Sequence, residues 1–200
     1  MKKPIFFALF CMAAFAQDIF TDSRDGKKYK TVKIDSQIWM AQNLDYHGKD
    51  GYLGLCYGDK PEEKRRKPEN CKKYGRLYDW DEAMKACPDG WHLPSNEEWQ
   101  ALVDFAGGED VAGPKLKAKS GWDTGGYKNS NGTDNYGFSA LPGGFGISDC
   151  SFYDVNYYGF WWGATNGNNV YGHKMSYHDN AVSLYYYNKS DLFSVRCIQD

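Results

Sequence analysis

Apolar and polar residues alternate along Tyr29-Lys30-Thr31-Val32-Lys33-Ile34, the two-residue period of a strand with one buried face. A second apolar-rich run, Ile38 to Leu44, follows Asp35-Ser36 and predicts a hairpin partner. The pattern changes near Asp79. With Glu82 three residues on, Asp79 forms a capping-box signature that opens a helix, which Pro88 stops with Cys87 in its last turn. Ser95 and Glu98 repeat the signature, and Trp99, Leu102, Val103 and Ala106 then recur at helical spacing until Gly107-Gly108. Beyond the Gly-, Asn- and Asp-rich stretch 121–135 the two-residue period returns, predicting strands over 136–141, 158–165, 170–177, 181–187 and 193–198. Two short helices and a β-rich second half define an α+β chain.

Two segments fall outside this patterning. Pro61-Glu62-Glu63-Lys64-Arg65-Arg66-Lys67-Pro68 is charged throughout, cannot bury a face, and is expected to be a solvated loop. A bridge between Cys56 and Cys71 would close it, for which the chain-entropy model assigns about 3 kcal/mol. At the N-terminus, Lys2-Lys3 precede an apolar run that ends in Ala14-Phe15-Ala16, the form of a secretory leader cleaved before Gln17. The expected organisation is a signal peptide over 1–16 and one domain over 17–200. The run is shorter than the roughly 20 residues a spanning helix needs, so no retained transmembrane anchor is expected. Lipidation at Cys11 is disfavoured because bulky Phe10 precedes it.

Composition narrows the chemistry. The formal net charge is −2, and loss of Lys2 and Lys3 with the leader makes it more negative. Acidic and basic residues are interspersed, so no basic face is expected and nucleic acid is not an expected partner. Once Cys11 is removed, Cys56, Cys71, Cys87, Cys150 and Cys197 remain, with no Cys-x-x-Cys unit for zinc or redox chemistry. Export makes disulfides the default, and an odd number leaves a thiol unpaired.

Catalytic readings find little support. His92 with Glu97 and Glu98 has the residue types of a metal or acid/base cluster, but acidic residues at a helix start are better explained by capping. No Gly-x-Ser-x-Gly elbow, zinc-spaced histidines or phosphate loop occurs. Neither an enzyme nor a cofactor is expected. Asp123, Asn129, Asn131, Thr133 and Asp134 offer hard oxygens to calcium, but they lack EF-hand spacing and suit turns better.

Sixteen tyrosines and seven tryptophans are the strongest remaining signal, because flat rings stack on sugars or anchor interfaces. Alternation over 181–187 places Ser183, Tyr185 and Tyr187 on one face, read as the solvent side, and Val182, Leu184 and Tyr186 on the other. Trp161 and Trp162 are expected to split, one inward and one outward. The candidate ligand face is therefore Tyr157, Tyr158, Trp162, Tyr185 and Tyr187, flanked by loops 121–135 and 163–172.

The stretch from Tyr78-Asp79-Trp80 through Cys87-Pro88-Asp89-Gly90-Trp91-His92-Leu93-Pro94-Ser95 to Glu98-Trp99 resembles a family of secreted bacterial domains. So do Trp39-Met40-Ala41, Tyr74-Gly75-Arg76-Leu77-Tyr78, Tyr136 to Gly144, Trp161-Trp162 and Ser194-Val195-Arg196-Cys197. These residues are similar to the Fibrobacter succinogenes major paralogous domain. The resemblance implies a C-type-lectin-like fold shared with sulfatase-modifying-factor domains. It also implies a Cys87–Cys197 bridge from the first helix to the last strand, leaving Cys150 over. The Glu-Pro-Asn, Gln-Pro-Asp and Trp-Asn-Asp strings of calcium-dependent lectins do not occur. Nor is there a second thiol to match the copper-dependent oxidases, once Cys197 is assigned to a bridge. The family implies export and a cell-surface or extracellular role without an agreed activity. The resulting expectation is a secreted, non-catalytic module that binds cell-surface or plant-fibre polysaccharide. The alternative is a structural or protein-interaction component of the cell surface.

Overall fold

The structure is a computed structural model that describes residues 17–124, 126, 130–165 and 170–200. The expected leader over 1–16 and the candidate ligand Asn129 lie outside the described residues.

The chain opens with three strands, β1 (Gln17–Thr21), β2 (Lys28–Ile34) and β3 (Gln37–Met40). Then come α1 (Pro68–Tyr74), β4 (Leu77–Tyr78), α2 (Trp80–Ala86), β5 (Trp91–His92), α3 (Asn96–Phe105) and α4 (Glu109–Leu116). The second half is β-rich, with β6 (Phe145–Gly146), β7 (Phe152–Tyr153), β8 (Tyr158–Gly163), β9 (Val170–Ser176), β10 (Val182–Tyr187), β11 (Phe193–Ser194) and β12 (Ile198–Gln199). The described strands form two five-stranded sheets, ordered β1-β2-β3-β12-β5 and β10-β9-β8-β11-β4, and a β6-β7 pair.

The expected hairpin is present, with Val32 opposite Trp39. Both capping boxes form: Asp79 accepts from Glu82 N and Ser95 from Glu98 N, while each glutamate accepts from the N-cap backbone. On α3 the predicted stripe of Trp99, Leu102, Val103 and Ala106 is buried.

Four helices are described rather than two. Residues 62–66 of the charged segment are exposed as expected, but Pro68 then opens α1, which buried Cys71 and Tyr74 pin to the body. α4 carries Pro114, and Gly113 leaves the helical bonding pattern to donate its N–H to Asn180 O at 2.9 Å. A Cβ on Gly113 would meet that oxygen at 2.6 Å, so glycine permits the close approach that docks α4 on the β9–β10 connection.

Two strand assignments also change. Residues 136–141 contribute only an isolated bridge between Ala140 and Lys117, although Phe138 and Ala140 are buried. The expected strand 193–198 divides instead. Phe193-Ser194 joins the second sheet and Ile198-Gln199 the first, with Val195-Arg196-Cys197 crossing between them.

The crossing is fastened by polar bonds in a buried setting. Arg196 donates through Nε (3.0 Å) and Nη2 (2.7 Å) to Asn43 Oδ1, and through Nη1 to the carbonyls of Met40 and Phe138. Trp161 Nε1 donates to the same Asn43 oxygen at 2.9 Å. Asn43 Nδ2 donates to Tyr74 O at 2.8 Å and Ser194 Oγ at 3.1 Å. No carboxylate pairs with Arg196 among the described residues, and burial pulls its guanidinium down to about 9. The crossing is also bridged covalently by Cys87–Cys197, with Cα atoms 5.9 Å apart, while Cys56–Cys71 ties α1 to the preceding loop at 4.8 Å. Cys150 is free.

Two cores result. Val32, Trp39, Trp99, Phe138, Trp161 and Met175 lie in one, and Tyr78, Trp80, Phe160, Trp162, Phe193 and Val195 in the other. Trp161 and Trp162 are both 0 % exposed, which corrects the expectation that one faces out. β8 is the middle strand of its sheet, so its two alternating faces enter one core each.

Candidate functional site

Directly opposed residues on paired strands share a face, so the register of β8, β9 and β10 defines one side of this sheet, buried at Phe160 and Trp162 on β8 and open at Tyr185 on β10, which is its outer face. Phe160 lies opposite Lys174, Lys174 opposite Ser183, and Gly172 opposite both Trp162 and Tyr185. Tyr158 and Tyr187 complete that face at its two ends.

The rings on this side form a continuous strip. Tyr153 and Phe145, paired across β6–β7, have centroids 5.5 Å apart, and Phe145 lies 5.0 Å from Phe160. From buried Phe160 the strip branches to Tyr158 and Tyr187, each at 6.0 Å, and Tyr187 leads to Tyr185 at 6.5 Å. Lys174 Nζ stands over this surface, 4.7 Å from the Tyr185 centroid and 5.7 Å from that of Tyr158. Tyr153 and Tyr185 are 46 % and 48 % exposed, so the upper rings are open while Phe160 is the floor.

Glycine shapes the strip where two rings converge. A Cβ on Gly172 would meet the rings of Phe193 and Tyr187 at 3.0 Å, so the bare backbone leaves room for Tyr187 to lie over Phe193. Burial raises the Tyr187 and Tyr158 phenols above their usual range. Both therefore keep their protons at neutral pH, offering hydrogen-bonding hydroxyls and apolar faces beside one cation.

Of the sequence candidates, Tyr158, Tyr185 and Tyr187 come together here. Tyr157 lies to one side, its ring 5.1 Å from Tyr177, which itself packs 5.8 Å from Tyr158. Trp162 does not reach the surface. It stacks at 4.3 Å on Phe193, and its Nε1 donates to Tyr78 O at 2.7 Å, so it supports the strip from beneath. Phe145, Tyr153 and Lys174 join the strip without being among the sequence candidates. The alternation of 170–177 would have found Lys174, whereas two-residue strands such as β6 and β7 carry no period to read.

His92, Glu98, Asn131, Thr133 and Asp134 have structural partners. His92 Nε2 lies 2.9 Å from Glu98 Oε1 and its Nδ1 2.6 Å from Asp200 Oδ1, so the ring clasps the last residue to the start of α3. Partial burial opposes its charge, but the hydrogen bonds that the ring donates to Asp200 and Glu98 outweigh this and raise its pKa. In the 123–134 loop, Asp134 accepts from Ser139 N and Oγ, Asn131 Oδ1 accepts from Trp122 N, and Thr133 Oγ1 donates to Pro114 O. Those oxygens are engaged in turns and tethers. Among the described residues no group of three or more His, Cys, Asp and Glu is placed to hold a metal ion.

A family model described as the Fibrobacter succinogenes major domain matches residues 32–199. The chain belongs to that family. In this Fibrobacter succinogenes major domain the match runs from β2 to β12, taking in the whole tyrosine strip, the Asn43–Arg196 crossing and both disulfides. No curated protein and no solved structure matches the chain. No helix among the described residues is long and apolar enough to cross a membrane.

Proposed function

We propose that this chain is a secreted, non-catalytic module that binds cell-surface or plant-fibre polysaccharide on the outer face of β8–β10. The observation that carries this reading is the run of adjoining rings from Tyr153 through Phe160 to Tyr185, with Lys174 among them. Pyranose rings offer apolar C–H faces to aromatic surfaces and hydroxyls to phenols and ammonium groups. A sheet face held by two cores presents such groups with little ordering cost on binding. The non-catalytic reading is supported by the make-up of the strip, aromatic rings and one ammonium group, with the Tyr158 and Tyr187 phenols raised above their usual range by burial. Secretion is supported by the Lys2-Lys3 and apolar leader pattern and by two disulfides. The C-type-lectin-like reading of the fold is supported by capped α2 and α3 beside antiparallel sheets and by the helix-to-last-strand bridge.

The test is retention of residues 17–200 on cellulose, xylan and chitin, with calcium and with chelator. Native protein is expected to be retained saturably, and Tyr185→Ala or Tyr153→Ala to weaken retention while the far-ultraviolet dichroism stays native. Equal retention of native and variant proteins, or none on any glycan, overturns the reading.

A second reading, a structural or protein-interaction component of the cell surface, is favoured by the opposite face of β10. β10 is the outer strand of its sheet, and there Leu184 and Tyr186 are 42 % and 58 % exposed. Loss of a pulled-down partner in Leu184→Asp, with glycan retention absent, would select it.

A further inference from the structure

A cavity of about 410 Å³, separate from the tyrosine strip, lies between β2 and the end of α1. Its charged lining is Lys27, Lys28, Lys30, Lys72, Lys73 and Asp45. The one carboxylate is already neutralised: Asp45 Oδ2 is 2.8 Å from Lys27 Nζ, and its Oδ1 is 3.1 Å from Arg76 Nε. Lys73 lies over the Tyr74 ring at 4.5 Å. Lys28, Lys30 and Lys72 are exposed and have no carboxylate within ion-pair distance among the described residues. Five lysines thus line one cavity in a chain whose formal net charge is −2.

Ordinary structural roles account for part of the cluster only. Lys72 and Lys73 complement the carbonyl end of α1, and Lys27 pairs with Asp45 and, at 3.8 Å, with Asp25. Lys28 and Lys30 have no such task, yet both stand on the exposed side of β2. The walls are firmly held. Cys71, which lines the cavity, is bridged to Cys56, and Asn43 bonds the Tyr74 carbonyl at the end of α1. Gln42 and Ser139 add uncharged polar groups to the lining, and Gln42 Oε1 is taken by Lys30 N, leaving its amide hydrogens to donate.

We propose that this pocket binds the anionic group of an acidic saccharide, one bearing uronate carboxylates or sulfate esters. The volume falls within the range of small-ligand sites and suits roughly one or two sugar units. Like-charged lysines held together raise the local concentration of a polyanion and gain most when an anion enters among them. The site uses none of the tyrosine-strip residues, so it stands or falls separately from binding of neutral glycans.

Affinity electrophoresis of residues 17–200 through gels containing polygalacturonate, dextran sulfate or neutral dextran tests the proposal. Native protein is expected to be retarded by at least one polyanion and not by dextran, and the two polyanion arms separate carboxylate from sulfate recognition. The variant Lys28→Gln, Lys30→Gln, Lys72→Gln, Lys73→Gln should bind about tenfold more weakly, the loss expected for several exposed charge contacts together. The control variant Lys33→Gln, Lys49→Gln, Lys85→Gln, Lys119→Gln changes the net charge equally at exposed positions outside the lining and should keep native binding. Raising NaCl from about 0.05 M to about 0.5 M should release the native complex by screening. Equal loss in the two variants, or no retardation of native protein by either polyanion at low salt, overturns the proposal. All the altered side chains in the pocket variant are exposed, and Lys30→Glu alone provides a second, single-site check in the same direction.

Discussion

Replacing Asn43 by alanine removes the acceptor shared by Arg196 Nε, Arg196 Nη2 and Trp161 Nε1, together with the donor to Tyr74 O and Ser194 Oγ. Arg196 keeps only the Met40 and Phe138 carbonyls, so a charged group at 1 % exposure loses half of its described hydrogen bonds. A stranded buried polar group costs about 1–3 kcal/mol, and more where the group is charged. These terms overlap because one side chain serves both, and a total of about 4 kcal/mol is expected. For a chain of this size that corresponds to a fall in midpoint of roughly 8–16 °C. Guanidinium unfolding without reductant, followed by tryptophan fluorescence, measures it, since Trp161 is itself a member of the knot. The cost arises from the stranded charge rather than from a lost attraction. Asn43→Leu combined with Arg196→Met should therefore recover at least half of the loss. A cost below about 1 kcal/mol for the single variant, or a double variant as unstable as the summed singles, refutes this account of the crossing.

Three further outcomes follow from the structure. His92 has a raised folded pKa, so its clasp stabilises fully below the unfolded value of 6.5 and is lost as pH rises through the folded value; Asp200→Asn should flatten the urea-midpoint profile in that window. Burial pulls Lys117 down to about 8 from 10.5, so the unfolded chain binds more protons between those values and stability should rise with pH across them, by at most about 3 kcal/mol. Lys117→Met should remove that rise in the same titration. Removing Cys87–Cys197, with its sequence separation of 110, should cost about 4–5 kcal/mol, against about 3 kcal/mol for Cys56–Cys71 with its separation of 15. Paired Cys→Ser variants compared by calorimetry check the order.

Local signals carried the features that local chemistry determines. The Asp79–Glu82 and Ser95–Glu98 pairs fix two helix starts within four residues each, and alternation locates β2, β8, β9 and β10. What the alternation of 158–165 does not contain is how many layers cover each face. Alternation alone puts Trp162 at the surface, because a strand pattern separates two sides without saying that both are buried, as they are in the middle strand of this sheet. β1 went unread because it is polar and outermost, with Ile19 exposed. α4 was hidden by Gly113 and Pro114, whose helix-breaking tendencies are overridden by docking on Asn180. The lysine pocket was illegible for another reason. Its lysines come from residues 27–30 at the start of β2 and from α1, far apart in sequence, and only the fold brings them to one cavity.

The central claim, that the outer face of β8–β10 binds polysaccharide, is tested most directly by titrating xylan and cellulose oligosaccharides into residues 17–200 while following the nuclear magnetic resonance signals of the tyrosine rings. The account predicts saturable shifts confined to Tyr153, Tyr158, Tyr185 and Tyr187, abolished by Tyr185→Ala. Shifts that gather elsewhere, or none at saturating ligand, would contradict it.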